Sequence, residues 1–189
     1  MLTFSLKYVI ILKKLIFNAM HHLIDKCRVT LCVLLATITP VLSHALSTQS
    51  FEVTTFSILS YANWKTIVTT PTLCVVDNPA LATQFKTVQQ QNGHKYNIIA
   101  SSLNALDKSS CNILFFSTLS PKAEQKVLNS YNTPPLSFSS NNITCEIGSS
   151  FCLYRKKQHT SFKVNMSSLS ETAVHVDPRV LLLAKSMEQ

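Results

Sequence analysis

The stretch that decides the fold is residues 72–79, which read TLCVVDNP. A short apolar strand runs into an Asn-Pro pair, in which Asn78 can cap a helix and Pro79 suits its first position. The same order returns at residues 111–121, CNILFFSTLSP, where Ser120 is the candidate cap. Two strand-to-helix units of this kind predict a mostly parallel sheet with helices packed on it.

Elements outside these two units extend the pattern on both sides. Residues 50–64 carry apolar side chains at helical spacing and predict a first helix. Further strands are predicted at residues 95–100 and 134–139. After these come short strand-like runs with tight turns and two helices, at residues 143–147, 151–156, 161–165, 167–172 and 178–187. We expect one α/β domain with a mixed, mostly parallel sheet flanked by helices and an antiparallel C-terminal extension.

The amino-terminal part has the layout of a secretory signal peptide. Residues 26–45, KCRVTLCVLLATITPVLSHA, combine a positive start, an apolar stretch and small residues before a cleavage site. We expect export with cleavage after Ala45, so that residues 1–45 are the signal and 46–189 the mature domain. Met20 is an alternative translation start, and an uncleaved anchor is the alternative to cleavage.

Composition and charge argue against several classes of protein. The chain has 189 residues, 17 basic and 9 acidic, and the predicted mature part keeps a net charge of +4. This excess is too small and too scattered for a nucleic-acid binder. The two glycines, Gly93 and Gly148, cannot form a glycine-rich phosphate loop. Neither four-cysteine spacing nor a histidine pair suggests a metal site. We expect no catalytic residue, no cofactor and no metal.

Four cysteines remain in the mature domain, at positions 74, 111, 145 and 152. An even number in an exported chain suggests disulfides, with three pairings possible. The spacing favours Cys145 with Cys152 across a turn, which leaves Cys74 and Cys111 at the starts of two strands. Structural bridges are the simpler interpretation, and a redox-responsive bridge is the alternative.

Five residues are candidates for contact with a partner. Arg155, Lys156 and Lys157 form the only basic run of the mature chain and could dock onto an acidic surface. Their simpler interpretation is a solvated hairpin tip. Tyr61 and Trp64 end the first predicted helix and could anchor an interface, because aromatic residues are frequent in binding hot spots. Their alternative role is packing in the core.

Several stretches together resemble the YfiR family of bacterial periplasmic proteins. They are residues 58–64, 73–79, 111–117, 145–153, 161–165 and 177–184. The likeness covers residues 50–187, and the cysteines around the Gly-Ser turn bring the chain closer to the YfiR type than to the wider family, many of whose members lack them. Lys65 departs from the pattern, since relatives often have proline after the tryptophan, and the mature chain is poorer in glycine.

The resemblance implies a periplasmic binding protein that is not an enzyme. Such a protein represses a membrane-bound diguanylate cyclase by binding its periplasmic sensor portion, which lowers cyclic di-GMP and biofilm formation. An OmpA-like outer-membrane lipoprotein sequesters the repressor, and homodimers occur. Both cysteine pairs have family counterparts, through which redox state is thought to act. The alternatives are a small-ligand sensor with another receptor partner, and an exported hydrolase or thiol enzyme.

Overall fold

The computed structural model describes residues 50–64, 69–106, 110–157 and 159–188. The predicted signal peptide, its cleavage site and Lys65 lie outside these ranges. The elements in chain order are α1 (Phe51–Leu59), β1 (Ala62–Asn63), β2 (Thr72–Val76), α2 (Pro79–Asn92), β3 (Asn97–Ser101), a 3₁₀ turn (Leu103–Ala105), β4 (Ile113–Phe116), α3 (Pro121–Leu128), β5 (Leu136–Ser139), β6 (Phe151–Lys156), β7 (His159–Val164), α4 (Met166–Ser170), β8 (His175–Val176) and α5 (Val180–Glu188).

Six strands form the main sheet in the order β3-β2-β4-β5-β6-β7. Strands β3, β2, β4, β5 and β6 are parallel to one another, and β7 returns antiparallel to β6. The parallel strands follow the 2-1-3-4-5 order of one common doubly wound arrangement. The prediction of a mixed, mostly parallel sheet with an antiparallel C-terminal extension is confirmed.

Both faces of the main sheet are covered by helices. On one face, side chains such as Phe115 and Phe138 pack with apolar residues of α1, α2 and α5. On the other face, Leu114 and Phe116 pack against Leu128 of α3. All four residues of β4 are buried, because a central parallel strand meets helices on both sides. This explains why the sequence of β4 is apolar throughout.

The two Asn/Ser-Pro signals begin helices as predicted. The amide of Leu81 donates to Asn78 Oδ1 at 3.0 Å at the start of α2. The amide of Ala123 donates to Ser120 Oγ at 3.4 Å at the start of α3. Helix α2 ends at Gly93, whose φ of +69° is a left-handed conformation that glycine adopts without strain.

Two predictions for local structure are wrong. Helix α1 ends at Leu59, because the chain turns and residues 62–63 pair with β8, a strand that the sequence did not reveal. Residues 143–147 form a loop, since the Asn142 side chain bonds their backbone in place of a neighbouring strand. The β1–β8 pairing joins residues more than a hundred positions apart, whereas the Asn142 bonds are local but interrupt a strand-like pattern.

Candidate functional site

The two aromatic candidates lie after the end of α1 and are both half-buried. The carbonyl oxygen of Tyr61 accepts the amide of Asp177 at 2.9 Å, which continues the β1–β8 pairing. Trp64 packs edge-on against Tyr96, with ring centres 6.2 Å apart. Burial raises the pKa of the Tyr96 phenol, and the Trp64 side chain opposes part of that rise.

Trp64 is the outer member of an aromatic cluster that reaches the core. Tyr96 lies 5.7 Å from the ring of Phe56, which also stacks on His94 at 4.7 Å and meets Phe85 edge-on at 5.7 Å. Phe56 and Phe85 are buried in the core, and Trp64 is one of the partly buried side chains packed against that core. Part of the Trp64 surface is therefore used in internal packing. Only the remaining exposed part of its ring is free to meet a partner.

The basic run is divided between the two faces of the sheet. The guanidinium carbon of Arg155 lies 4.7 Å from the ring centre of Phe51, on the α1 side. Lys156, the next residue of β6, projects from the opposite face because strand side chains alternate. Lys157 occupies the turn to β7 with a φ of +54°. The three charges therefore do not form a single flat patch.

The aromatic and basic candidates are not brought together. Arg155 contacts Phe51 at the beginning of α1, whereas Tyr61 and Trp64 follow its end. A helix of nine residues is about 13 Å long, which separates the two groups by roughly that distance. A single short segment of a partner protein is therefore not expected to contact both the aromatic and the basic residues.

The structure joins the cysteines in the pairing that the spacing favours. Cys74 and Cys111 are linked with a Cα separation of 5.7 Å, and Cys145 and Cys152 with the same separation. All four are buried, with Cys145 the most exposed at 7%. A thiol reagent in solution therefore reaches either disulfide only after local opening of the structure.

Most of the segment between β5 and β6, which spans residues 140–150, is held by a buried carboxylate. Glu124 of α3 has no exposed surface. Its Oε1 accepts Ser139 Oγ at 2.5 Å, and its Oε2 accepts Ser149 Oγ at 2.9 Å and the Ser149 amide at 3.2 Å. We call residues 140–149 the β5–β6 loop. The carboxylate thus binds donors on both sides of this loop.

Further side chains complete the support of the β5–β6 loop. Asn142 accepts the Cys145 amide at 3.0 Å and donates to the Ile147 carbonyl at 2.6 Å. The Gly148 amide donates to Gln125 Oε1 at 2.8 Å. A Cβ added to Gly148 would lie 2.7 Å from Glu124 Oε2, and φ is +88° there. Only glycine fits this position without strain.

The β5–β6 loop presents two exposed apolar side chains that the sequence did not single out. Ile143 is 68% exposed and Ile147 is 41% exposed, and Lys163 Nζ donates to the Ile143 carbonyl at 2.9 Å. Contiguous exposed apolar surface is a common feature of interaction sites, and these two isoleucines lie four residues apart on one loop. The cysteines and Gly148 are the sequence signals that could have predicted a pinned loop, but the strand-like alternation concealed it.

A separate cleft of about 320 Å³ opens at the carboxyl ends of β2 and β3. Its lining residues are Asp77, Asn78, Pro79, Ala100, Ser101 and Ser102. Asp77 Oδ1 accepts the amide of Leu103 at 2.8 Å. The neighbouring position between β2 and β4, where ligands of such sheets often bind, is bridged by Asn78 Nδ2 and Ser117 Oγ at 3.0 Å.

An exposed ion pair lies at the start of α5, next to the Tyr61 backbone. Arg179 donates to Asp177 Oδ2 at 2.6 Å, and the amide of Arg179 donates to Asp177 Oδ1 at 2.9 Å. These bonds lower the pKa of Asp177 to about 2, and the carboxylate raises the pKa of Arg179. The pair fixes the chain between β8 and α5.

The described ranges contain no group of three or more His, Cys, Asp or Glu side chains placed to hold a metal ion. Within those same ranges, no helix combines the length and the hydropathy needed to cross a membrane.

A comparison with models of known protein families finds a match over residues 48–185. The matched region runs from just before α1 into α5 and contains both disulfides and the β5–β6 loop. It covers well over half of the chain, and the resemblance noted in the sequence points to the same group of proteins. The chain belongs to the YfiR/HmsC-like family.

Proposed function

We propose that this protein is a periplasmic repressor of a membrane-bound diguanylate cyclase. The observation that carries the proposal is the family match over residues 48–185, because the YfiR/HmsC-like family consists of regulatory proteins. Two buried disulfides suit an oxidising compartment such as the periplasm. In this function the protein lowers cyclic di-GMP and biofilm formation by binding, without catalysing a reaction.

The proposed mechanism is differential binding. The protein binds the periplasmic sensor portion of the cyclase more tightly in its inactive state than in its active state, which shifts the population towards the inactive one. A surface that is already ordered loses little entropy on binding, which raises its affinity for the partner. We propose the β5–β6 loop for this contact, because Ile143 and Ile147 are exposed on a backbone that Glu124 holds through Ser149.

The two groups of predicted contact residues would serve different parts of an interface. Tyr61 and Trp64 offer aromatic surface near β8, whereas Arg155, Lys156 and Lys157 offer positive charge at the β6–β7 turn. We propose that an acidic surface of a partner faces the basic run, where charge steers association more than it adds affinity. An OmpA-like outer-membrane lipoprotein is proposed as the second partner, which sequesters the repressor, and a homodimer as its assembly state.

The paired cysteines on either side of Gly148 also support a finer assignment. We propose that the chain is a close counterpart of YfiR itself within the family. The neighbouring genes provide the simplest check, since a cyclase gene and a lipoprotein gene beside this one are expected. Their absence would favour a different partner.

The decisive experiment is deletion of the gene in a cell that keeps the cyclase. Cyclic di-GMP, measured by mass spectrometry, should rise in the deletion strain and return to its starting value when the gene is restored. A second strain lacking both genes serves as the control and should show no rise. An unchanged level in the single deletion would refute repression of the cyclase.

A small-ligand sensor is the second candidate function, and the cleft at β2 and β3 is the observation that favours it. Native mass spectrometry of protein purified from periplasmic extracts should then show a bound small molecule. Ala100→Trp, which places a large side chain in the cleft, should abolish that binding. Retained binding in the variant would exclude the cleft as the site.

A further inference from the structure

Two devices hold the β5–β6 loop, the Cys145–Cys152 disulfide and the carboxylate of Glu124. We propose that Glu124 sets the conformation of this loop, so that the loop keeps its shape when the Cys145–Cys152 disulfide is reduced. This is a property of the isolated protein, and it holds whether or not the protein represses a cyclase.

The positions of the two devices differ in what they hold. Glu124 binds Ser139, just before the loop, and Ser149, at its end, and so fixes both points where the loop leaves the fold. The disulfide connects Cys145, in the middle of the loop, to Cys152, beyond its end in β6. Loss of the disulfide therefore leaves both ends of the loop in place.

The middle of the loop is also supported without the disulfide. Asn142 accepts the backbone amide of Cys145 and donates to the Ile147 carbonyl, and its Nδ2 lies 3.4 Å from Glu124 Oε2. Lys163, a residue of β7, donates a hydrogen bond from its Nζ to the Ile143 carbonyl. These bonds position the backbone of Cys145 whether its sulfur is oxidised or reduced.

The physical nature of the two devices leads to the same conclusion. A disulfide stabilises a fold mainly by restricting the unfolded chain, and this effect is smaller for a short loop than for a long one. Hydrogen bonds to a carboxylate are directional and about twice as strong as neutral ones. The donors from Ser139 and Ser149 meet Glu124 only in the observed conformation, which makes that conformation the preferred one.

Amide hydrogen exchange by NMR separates the two contributions. The reporters are the amides at positions 145, 148 and 149, which donate to Asn142, Gln125 and Glu124 respectively. Amides of β4 report global unfolding, because β4 is central and fully buried. The variants to compare are the double variant Cys145→Ser/Cys152→Ser and Glu124→Gln, with Glu146→Gln as control, an exposed carboxylate of the same loop.

The double cysteine variant should keep the reporter amides protected to within about tenfold of wild type, after normalisation to β4. Glu124→Gln, with its disulfide intact, should lose more than about tenfold of that protection. Glu146→Gln should match wild type. If Glu124→Gln does not fold, Ser149→Ala replaces it and should lower protection at positions 148 and 149 more than the double cysteine variant does.

The proposal is wrong if the cysteine variant loses more reporter protection than Glu124→Gln does. Loss of reporter protection in the double cysteine variant, with β4 still protected, would show that the disulfide shapes the loop. Full protection in Glu124→Gln would show that the carboxylate is not needed. A fall that is equal in the loop and in β4 would reveal only a global loss of stability, and it would also count against a local role for Glu124.

Discussion

Replacing each of the two glycines of the chain with alanine separates backbone strain from crowding. Gly93 and Gly148 both have positive φ, at +69° and +88°, and a left-handed alanine costs about 1–2 kcal/mol at either position. A Cβ at position 93 meets no atom within 4 Å, whereas at position 148 it lies 2.7 Å from Glu124 Oε2 and 3.0 Å from the Pro121 carbonyl. Overpacking of this kind costs about 1–3 kcal/mol more.

We therefore expect Gly93→Ala to lower the free energy of unfolding by about 1–2 kcal/mol and Gly148→Ala by about 2–5 kcal/mol. Urea denaturation of the mature protein measures both values, and a common m-value shows that the two variants unfold in the same way. In thermal melts, each kcal/mol of lost stability lowers Tm by about 2–4 °C for a domain of this size. Equal losses in the two variants would refute the crowding around Glu124 and with it the tight fit of the loop.

Three further predictions concern the disulfides, the ion pair and the proposed interface. Replacing both cysteines of the Cys74–Cys111 pair with serine should lower the free energy of unfolding by about 4 kcal/mol, because this disulfide has a sequence separation of 37. The same change in the Cys145–Cys152 pair, whose separation is 7, should lower it by about 2.5 kcal/mol. Urea denaturation measures both values. Asp177→Asn should lower Tm at neutral pH, but this difference should shrink as pH falls from about 4 to about 2, because a carboxyl whose pKa is lowered to about 2 stabilises the fold only while ionised. Ile143→Asp should raise cellular cyclic di-GMP at unchanged Tm, whereas Leu182→Asp, on the outer side of α5, should leave cyclic di-GMP at the wild-type level.

The elements that local sequence signals define were predictable. The Asn78-Pro79 and Ser120-Pro121 pairs begin α2 and α3, because a cap and a proline act on residues within one turn. The apolar strands could be assigned to a parallel sheet because they alternate with helices along the chain. Most of the architecture therefore follows from short stretches of the chain.

The features that escaped prediction depend on contacts between distant residues. Strand β1 exists only because β8, more than a hundred residues later, pairs with it. Glu124 looks like an ordinary helical glutamate, since its partners Ser139 and Ser149 come 15 and 25 residues later. The separation of Trp64 from Arg155 likewise depends on the contact of Arg155 with Phe51, a residue about a hundred positions earlier in the sequence.

The pairing of β1 with β8 ties the first and last parts of the domain into a short ladder. Ala62, on the upstream end of β1, faces Val176, on the downstream end of β8. A pulling force applied to the two chain ends would first have to detach α1 and α5 from the core, and it would then load this ladder from one end and unzip it bond by bond. Under an optical trap these outer helices and the short ladder would give way before the long ladders of the six-stranded sheet, so the domain would yield in two stages.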